Sequence, residues 1–150
     1  MNAPEKVKLT APCGLDCFNC DVFEANLTPD RRSALAARLG RRPDEVGCDG
    51  CRALQGVNPF AGACPTYECA SERDVDYCFE CDIFPCRRLA PARDGAEKNS
   101  HNMKLYNLCR MKAVGVERWA DHEASAIRLR YYTGRFRPGR GARLSDEEED

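Results

Sequence analysis

"CDGCRALQGVNPFAGACPTYECASERDVDYCFECDIFPC", residues 48–86, holds seven cysteines in 39 residues. The whole chain has 150 residues and 11 cysteines; apolar residues make up 43%, a figure that includes those thiols. Without them, core-forming side chains are sparse, and the quoted stretch is also rich in Pro, Gly, Asp and Glu. A chain of this length suits one domain, and a domain that buries little hydrocarbon needs disulfides or metal to hold it. Disulfides require an oxidising compartment. The opening "MNAPEKVKLTAPCG" has no apolar run of the signal-peptide kind. No stretch approaches the roughly 20 apolar residues that span a bilayer. The expectation is therefore a cytoplasmic chain with reduced thiols, where clustered cysteines bind metal.

Spacing sharpens this expectation. Three C-x2-C pairs occur, Cys17/Cys20, Cys48/Cys51 and Cys78/Cys81. Two intervening residues let a tight turn aim both sulfurs at one point, and Gly50 can take the positive φ that "CDGC" needs. Cys13 extends the first pair and Cys86 the third, while Cys64 and Cys69 form a looser C-x4-C. A tetrahedral zinc ion takes four thiolates at about 2.3 Å, which means two such pairs brought together. The preferred partition places Cys17, Cys20, Cys48 and Cys51 at one ion, and Cys69, Cys78, Cys81 and Cys86 at another. It leaves Cys13 and Cys64 unplaced. Bridging thiolates, or a site completed by an unusual ligand, are the alternatives. The expected cofactor is about two zinc ions, by the four-thiolate stoichiometry.

Outside the thiol loops, helix signals dominate. Residues 1–12 form a short tether. "TPDRRSALAARLG" is a helix with Thr28 as N-cap, Pro29 in its first turn, Leu35 and Leu39 on one face, and Gly40 at its end. "ASERDV" offers a short helical segment. Ser100 can cap a helix through "HNMKLYNLCRMKAV", closed by Gly115. "VERWADHEASAIRLRYYTG" gives a last helix with Ala120, Ala124, Ile127 and Tyr131 on one face and Gly134 as its stop. The fold class is thus a small metal-stapled domain, mainly α with irregular cysteine-rich loops, ending in a helical pair and a mobile tail. Residues 1–134 form the single domain, with 13–86 its metal-binding half and 100–134 its helical half. Residues 135–150 are the tail, first rich in arginine and then acidic.

"CGLDCFNC", "CDGCR", "CPTYECASER", "CFECDIFPC" and "YNLCRMKAVGVERW" together resemble a family of short, cysteine-rich bacterial and archaeal proteins of unknown function. Zinc binding is ascribed to that family from its cysteines. The resemblance spans residues 13–119 and implies metal ligation by Cys13, Cys17, Cys20, Cys48, Cys51, Cys64, Cys69, Cys78, Cys81 and Cys86. It implies no activity.

Other readings carry less. C-x3-C-x2-C also occurs in radical enzymes that use S-adenosylmethionine, but a barrel needs about 200 residues or more. An iron–sulfur protein shares the thiolate ligand set and is the main alternative, although neither ferredoxin-type spacing is present. Cys109 lies in a helix of apolar neighbours and is expected to be a small buried hydrophobe. His101 and His122 are far from the thiol pairs and suit capping or surface roles. Glu68 and Glu72 flank Cys69; a general base beside zinc requires an open coordination position, which all-thiolate sites lack, so both read as surface acids. No HExxH, GxSxG, Walker loop or GxGxxG occurs. The expected role is therefore non-catalytic, toward a protein partner and not a membrane. The net charge is −1. Six arginines between residues 128 and 143 interleave with Tyr131, Tyr132 and Phe136, which leaves a zinc-dependent nucleic-acid-binding module as a further alternative.

Overall fold

A computed structural model describes residues 1–143. The chain is about half helical, with two small antiparallel hairpins. The expected tether is in fact a helix, α1 (Ala3–Lys8). Asn2 accepts from the Glu5 N–H at 3.0 Å and Glu5 accepts from the Asn2 N–H at 2.8 Å, a reciprocal cap that closes the first turn. Lys6 pairs with Asp121 at 2.8 Å, anchoring this helix to the far end of the chain.

Helix α2 (Pro29–Leu39) starts and stops as its sequence dictates. Thr28 accepts from the Arg31 N–H, and Gly40 closes the helix at φ 64°. Leu35 is buried, but Leu39 is 42% exposed; Ala36 takes the inner position instead and packs with Val46, Val22 and Leu27. Helix α3 (Pro65–Glu72) begins at Pro65, so only the first half of "ASERDV" is helical. Ahead of it, β1 (Val57–Asn58) pairs with β2 (Gly62–Ala63).

Helix α4 (Met103–Val114) opens at Asn102 rather than Ser100, whose carbonyl instead accepts from the Met103 N–H. Asn102 is committed elsewhere, since its side chain both donates to and accepts from the Ala92 backbone. Gly115 ends α4 at φ 89°, as expected. The last helix is broken into α5 (Val116–Arg118), a π-helical turn (Trp119–Glu123) and α6 (Ala124–Thr133). The wide turn admits one extra residue and seats Trp119 in the core beside Ala120 and Ala124. Ile127 and Tyr131 are only half-buried.

The main core does not respect the expected division into halves. Phe18 and Tyr77 come from the cysteine-rich half and Leu89 from the turn just after it, and they pack with Leu108, Met111 and Trp119 of the helical half. The Trp119 ring meets Phe18 edge-on, with centroids 6.5 Å apart. Buried Asn107 of α4 donates to the Gly14 carbonyl at 2.7 Å, adding a polar tie between the two regions.

Where a tail was expected from residue 135, the chain forms a hairpin: β3 (Arg135–Arg137) pairs with β4 (Gly141–Arg143). Gly134 makes room for it. A Cβ there would lie 2.4 Å from the Arg130 carbonyl oxygen and 2.9 Å from that of Arg143. The acidic residues 146–150 lie outside the described residues. No helix among those described is long and apolar enough to cross a membrane.

Candidate functional site: a cavity lined by thiols

Two of the C-x2-C pairs adopt the same local form. Cys17–Asn19 and Cys78–Glu80 are single 3-10 turns, each closed by the second cysteine's N–H donating to the first cysteine's carbonyl. In the third pair Gly50 takes φ 93°, and its N–H points at the Cys48 sulfur, 3.4 Å away. The loops are held together by main chain. Glu24 N–H donates to the Cys48 carbonyl at 2.9 Å, and Cys78 N–H to the Pro12 carbonyl at 2.9 Å. Arg52, next to Cys51, donates to the carbonyls of Thr10 and Asp76 at 2.8 Å each and stacks over the Tyr77 ring.

This framework encloses a cavity of about 450 Å³. Its wall carries Cys13, Cys17, Cys20, Cys48, Cys51 and Cys64, with Val22, Phe23 and Leu54 among the apolar groups. Cys13 and Cys64, which spacing left unplaced, belong to this wall. All eleven cysteines are free thiols. Burial pushes Cys17 up to about 12; the N–H of Cys51 eases this, and the charges of Cys51, Cys13 and Cys20 add to it. Burial likewise pushes Cys51 up to about 12, reinforced by Cys13, Cys64 and Cys48. Cys13 itself is raised by burial, against the pull of Lys104.

The remaining four candidates, Cys69, Cys78, Cys81 and Cys86, lie outside that wall. Cys78 is raised to about 12 by burial first, then by Cys13, Cys86, Cys69 and Cys81. Arg73 pairs with Asp82 at 3.2 Å, and the nearby Cys69 and Cys81 raise its guanidinium. Cys13 raises both Cys51 in the cavity wall and Cys78 outside it.

Donor chemistry and collection fit a thiophilic metal: soft ligands, free of disulfides, gathered from distant parts of the chain. Closed coordination is a different matter. Among the described residues, no three Cys, His, Asp or Glu side chains stand around a single point as ligands to one ion.

Several residues depart from expectation, and others were invisible in the sequence. Cys109 is exposed rather than buried, because α4 turns its Asn107, Leu108 and Met111 inward instead. His101 shares a hydrogen bond with the Ala90 carbonyl, and His122 lies exposed beside Asp121. Glu68 and Glu72 are exposed on α3. The thiol cavity also draws on the helical region, through Ser100, Lys104 and Arg128. Arg128 of α6 donates to buried Asp16 at 2.8 Å, and Asn19 donates to the same carboxylate at 2.9 Å. Burial raises Asp16, and Arg128 and Asn19 offset this only in part. Burial alone would lower the Arg128 guanidinium, but Asp16, Cys20 and Tyr132 reverse it. A charged residue inside "CGLDC" was the one visible hint of this pairing; its partner, 112 residues away, carried no local signal.

A family model described as a protein of unknown function, DUF3795, matches residues 9–91. The match takes in all ten candidate cysteines, Cys13 to Cys86, and stops before α4. No curated protein and no solved structure matches the chain.

Proposed function

We propose, for a chain that belongs to the DUF3795 family of unknown function, that the gathered thiols are ligands to structural metal, with zinc as the ion. One observation carries the reading. Six free thiols, drawn from three separate segments of the chain, line one cavity. Crowding buried sulfurs is costly if they ionise together, and a bound divalent cation offsets that cost while cross-linking the loops. Zinc supplies this cross-linking when bound. The chain supplies the rest: the Gly50 N–H faces the Cys48 sulfur, Arg52 fixes the loop carrying Cys51, and Lys104 and Arg128 put positive charge in the wall.

The role is non-catalytic and directed toward a protein partner. A groove of about 990 Å³ runs between α2 and α6, lined by Leu39, Leu129 and Tyr132 together with Arg38, Glu97 and Lys98. Tyrosine and arginine, here Tyr132 and Arg38, are enriched at surfaces that meet other proteins.

The test is metal analysis of full-length protein purified under reducing, anaerobic conditions. A colourless sample carrying zinc supports the reading. A brown sample with acid-labile sulfide replaces it with an iron–sulfur protein, and a folded metal-free chain removes it.

A further inference from the structure

The stretch from residue 124 to 145 holds six arginines and no acid. Elsewhere on the surface arginines meet carboxylates, as Arg31 meets Asp21, Arg42 meets Asp44 and Arg110 meets Glu123. Within the acid-free stretch the chain doubles back as β3 and β4. Pro138 and Gly139 make the turn, with Gly139 at φ 80°, and the Arg140 N–H closes it on the Arg137 carbonyl at 3.0 Å. We propose that this hairpin is a docking surface for single-stranded nucleic acid, with Arg135, Arg137 and Arg140 on its phosphates and Phe136 stacked on a base. The proposal goes beyond the metal reading and does not depend on it.

Three observations support it. The first is charge. Among the described residues, Arg135, Arg137 and Arg140 are exposed and make no ion pair or side-chain hydrogen bond. Guanidinium groups match phosphate geometry, and each phosphate they neutralise releases condensed counterions.

The second is Phe136, which is 75% exposed, more than any other large apolar side chain described. A phenyl ring left in water forgoes the burial that aromatics otherwise contribute. A base always offers a flat π-face to cover it.

The third is geometry. Side chains alternate along a strand, so Arg135 and Arg137 share one face of the ribbon and Phe136 takes the other, opposite the small Ala142. The two strands lie about 5 Å apart. A single strand, whose bases turn freely away from its phosphates, reaches both faces of so narrow a ribbon. A duplex keeps its bases stacked inside and meets the arginines alone. An acidic peptide likewise brings charge but no ring for Phe136.

The test uses full-length protein purified under reducing conditions and a fluorescein-labelled single-stranded RNA of about 12 nucleotides, read by anisotropy across a salt series. Three phosphate contacts give a slope of log K against log salt of about −2, a loss of about 20-fold between about 50 and 200 mM salt. Arg135→Gln with Arg137→Gln should bring that slope to about −0.7. Phe136→Ala should weaken binding about fivefold or more at unchanged slope, and Phe136→Trp should keep it. All these substitutions fall on exposed side chains, and circular dichroism of the same samples checks the fold. Unchanged affinity in Phe136→Ala overturns the proposal. So does duplex RNA that binds the native chain as tightly, or polyglutamate that displaces the strand as well as unlabelled RNA does. Absence of binding by both the native chain and one lacking residues 146–150 overturns it too. Metal analysis of the same samples separates the two readings: a folded, metal-free chain that binds RNA removes only the metal, and a zinc-loaded chain that does not bind removes only this surface.

Discussion

Replacing Arg128 with methionine strands a charge. Asp16 has a fully buried side chain, and Arg128 retains 17% side-chain exposure, so the pair sits mostly out of water. Removing one member of such a pair costs about 3–5 kcal/mol, because the other charge stays behind uncompensated. Asp16 keeps its hydrogen bond from Asn19 and Arg128 is not wholly enclosed, which points to the lower end, about 3 kcal/mol. For a chain of this length that lowers Tm by about 6–12 °C. Arg128 also lies over the Tyr132 ring at 5.6 Å, a contact worth about 0.5–1 kcal/mol. The double variant Asp16→Asn, Arg128→Met removes the stranded charge along with its partner. It should therefore recover most of the loss and sit within about 1 kcal/mol of the native protein. Urea unfolding at fixed free zinc measures all three proteins. A single variant within about 1 kcal/mol of native, or a double variant no better than the single, would show that the ion pair does not join the thiol loop to α6.

Serine at Cys81 should lower metal content and stability far more than serine at exposed Cys109; equal effects in metal analysis and thermal melts would erase the distinction between them. Chelation under reducing conditions should disturb the helical region too, because the only tryptophan, Trp119, packs on Phe18. Its fluorescence should shift to the red, and an unchanged emission in demonstrably metal-free protein would contradict this coupling. Gly14→Ala should cost more than about 1 kcal/mol, since Gly14 has φ 84° and a Cβ there would lie 2.9 Å from the Leu108 Cγ; equilibrium unfolding checks it. Deleting residues 146–150 should leave folding intact and increase salt-sensitive RNA binding, read by fluorescence anisotropy. The hairpin sets Arg135 directly opposite Arg143 and leaves Phe136 75% exposed, and the absence of binding in either form would retire the nucleic-acid alternative.

Local signals in the sequence predicted local structure well. Thr28, Pro29 and Gly40 delimit α2, Gly115 ends α4, and Gly50 takes its positive φ, because each acts through its own backbone. Regular spacing was less reliable. It put Leu39 inside, and the π-helical turn admitted Trp119, a residue that no 3.6-residue period selects together with Ala120 and Ala124. The thiols could be recognised as a set, but their grouping could not. Sequence spacing links neighbours such as Cys17 and Cys20, whereas Cys64 reaches the cavity wall from the residue just before α3. The pairing of Asp16 with Arg128, 112 residues apart, and the place of Lys104 in the wall depend on packing between distant parts of the chain.

The end of the family match at residue 91 falls on one side of a shared core. Phe18, Tyr77 and Leu89 lie before that point, and Leu108, Met111 and Trp119, which cover them, lie after it. The portion of sequence common to the family is thus not a unit of folding here. Cut at residue 91, it would present its apolar face to water, and three buried side chains would become an adhesive surface. Any relative that keeps the cysteine loops but varies the helices C-terminal to them must bring its own cover for that face. Recruiting a different cover, whether a helix of the same chain or one from another protein, is then a way for one thiol framework to acquire different partners.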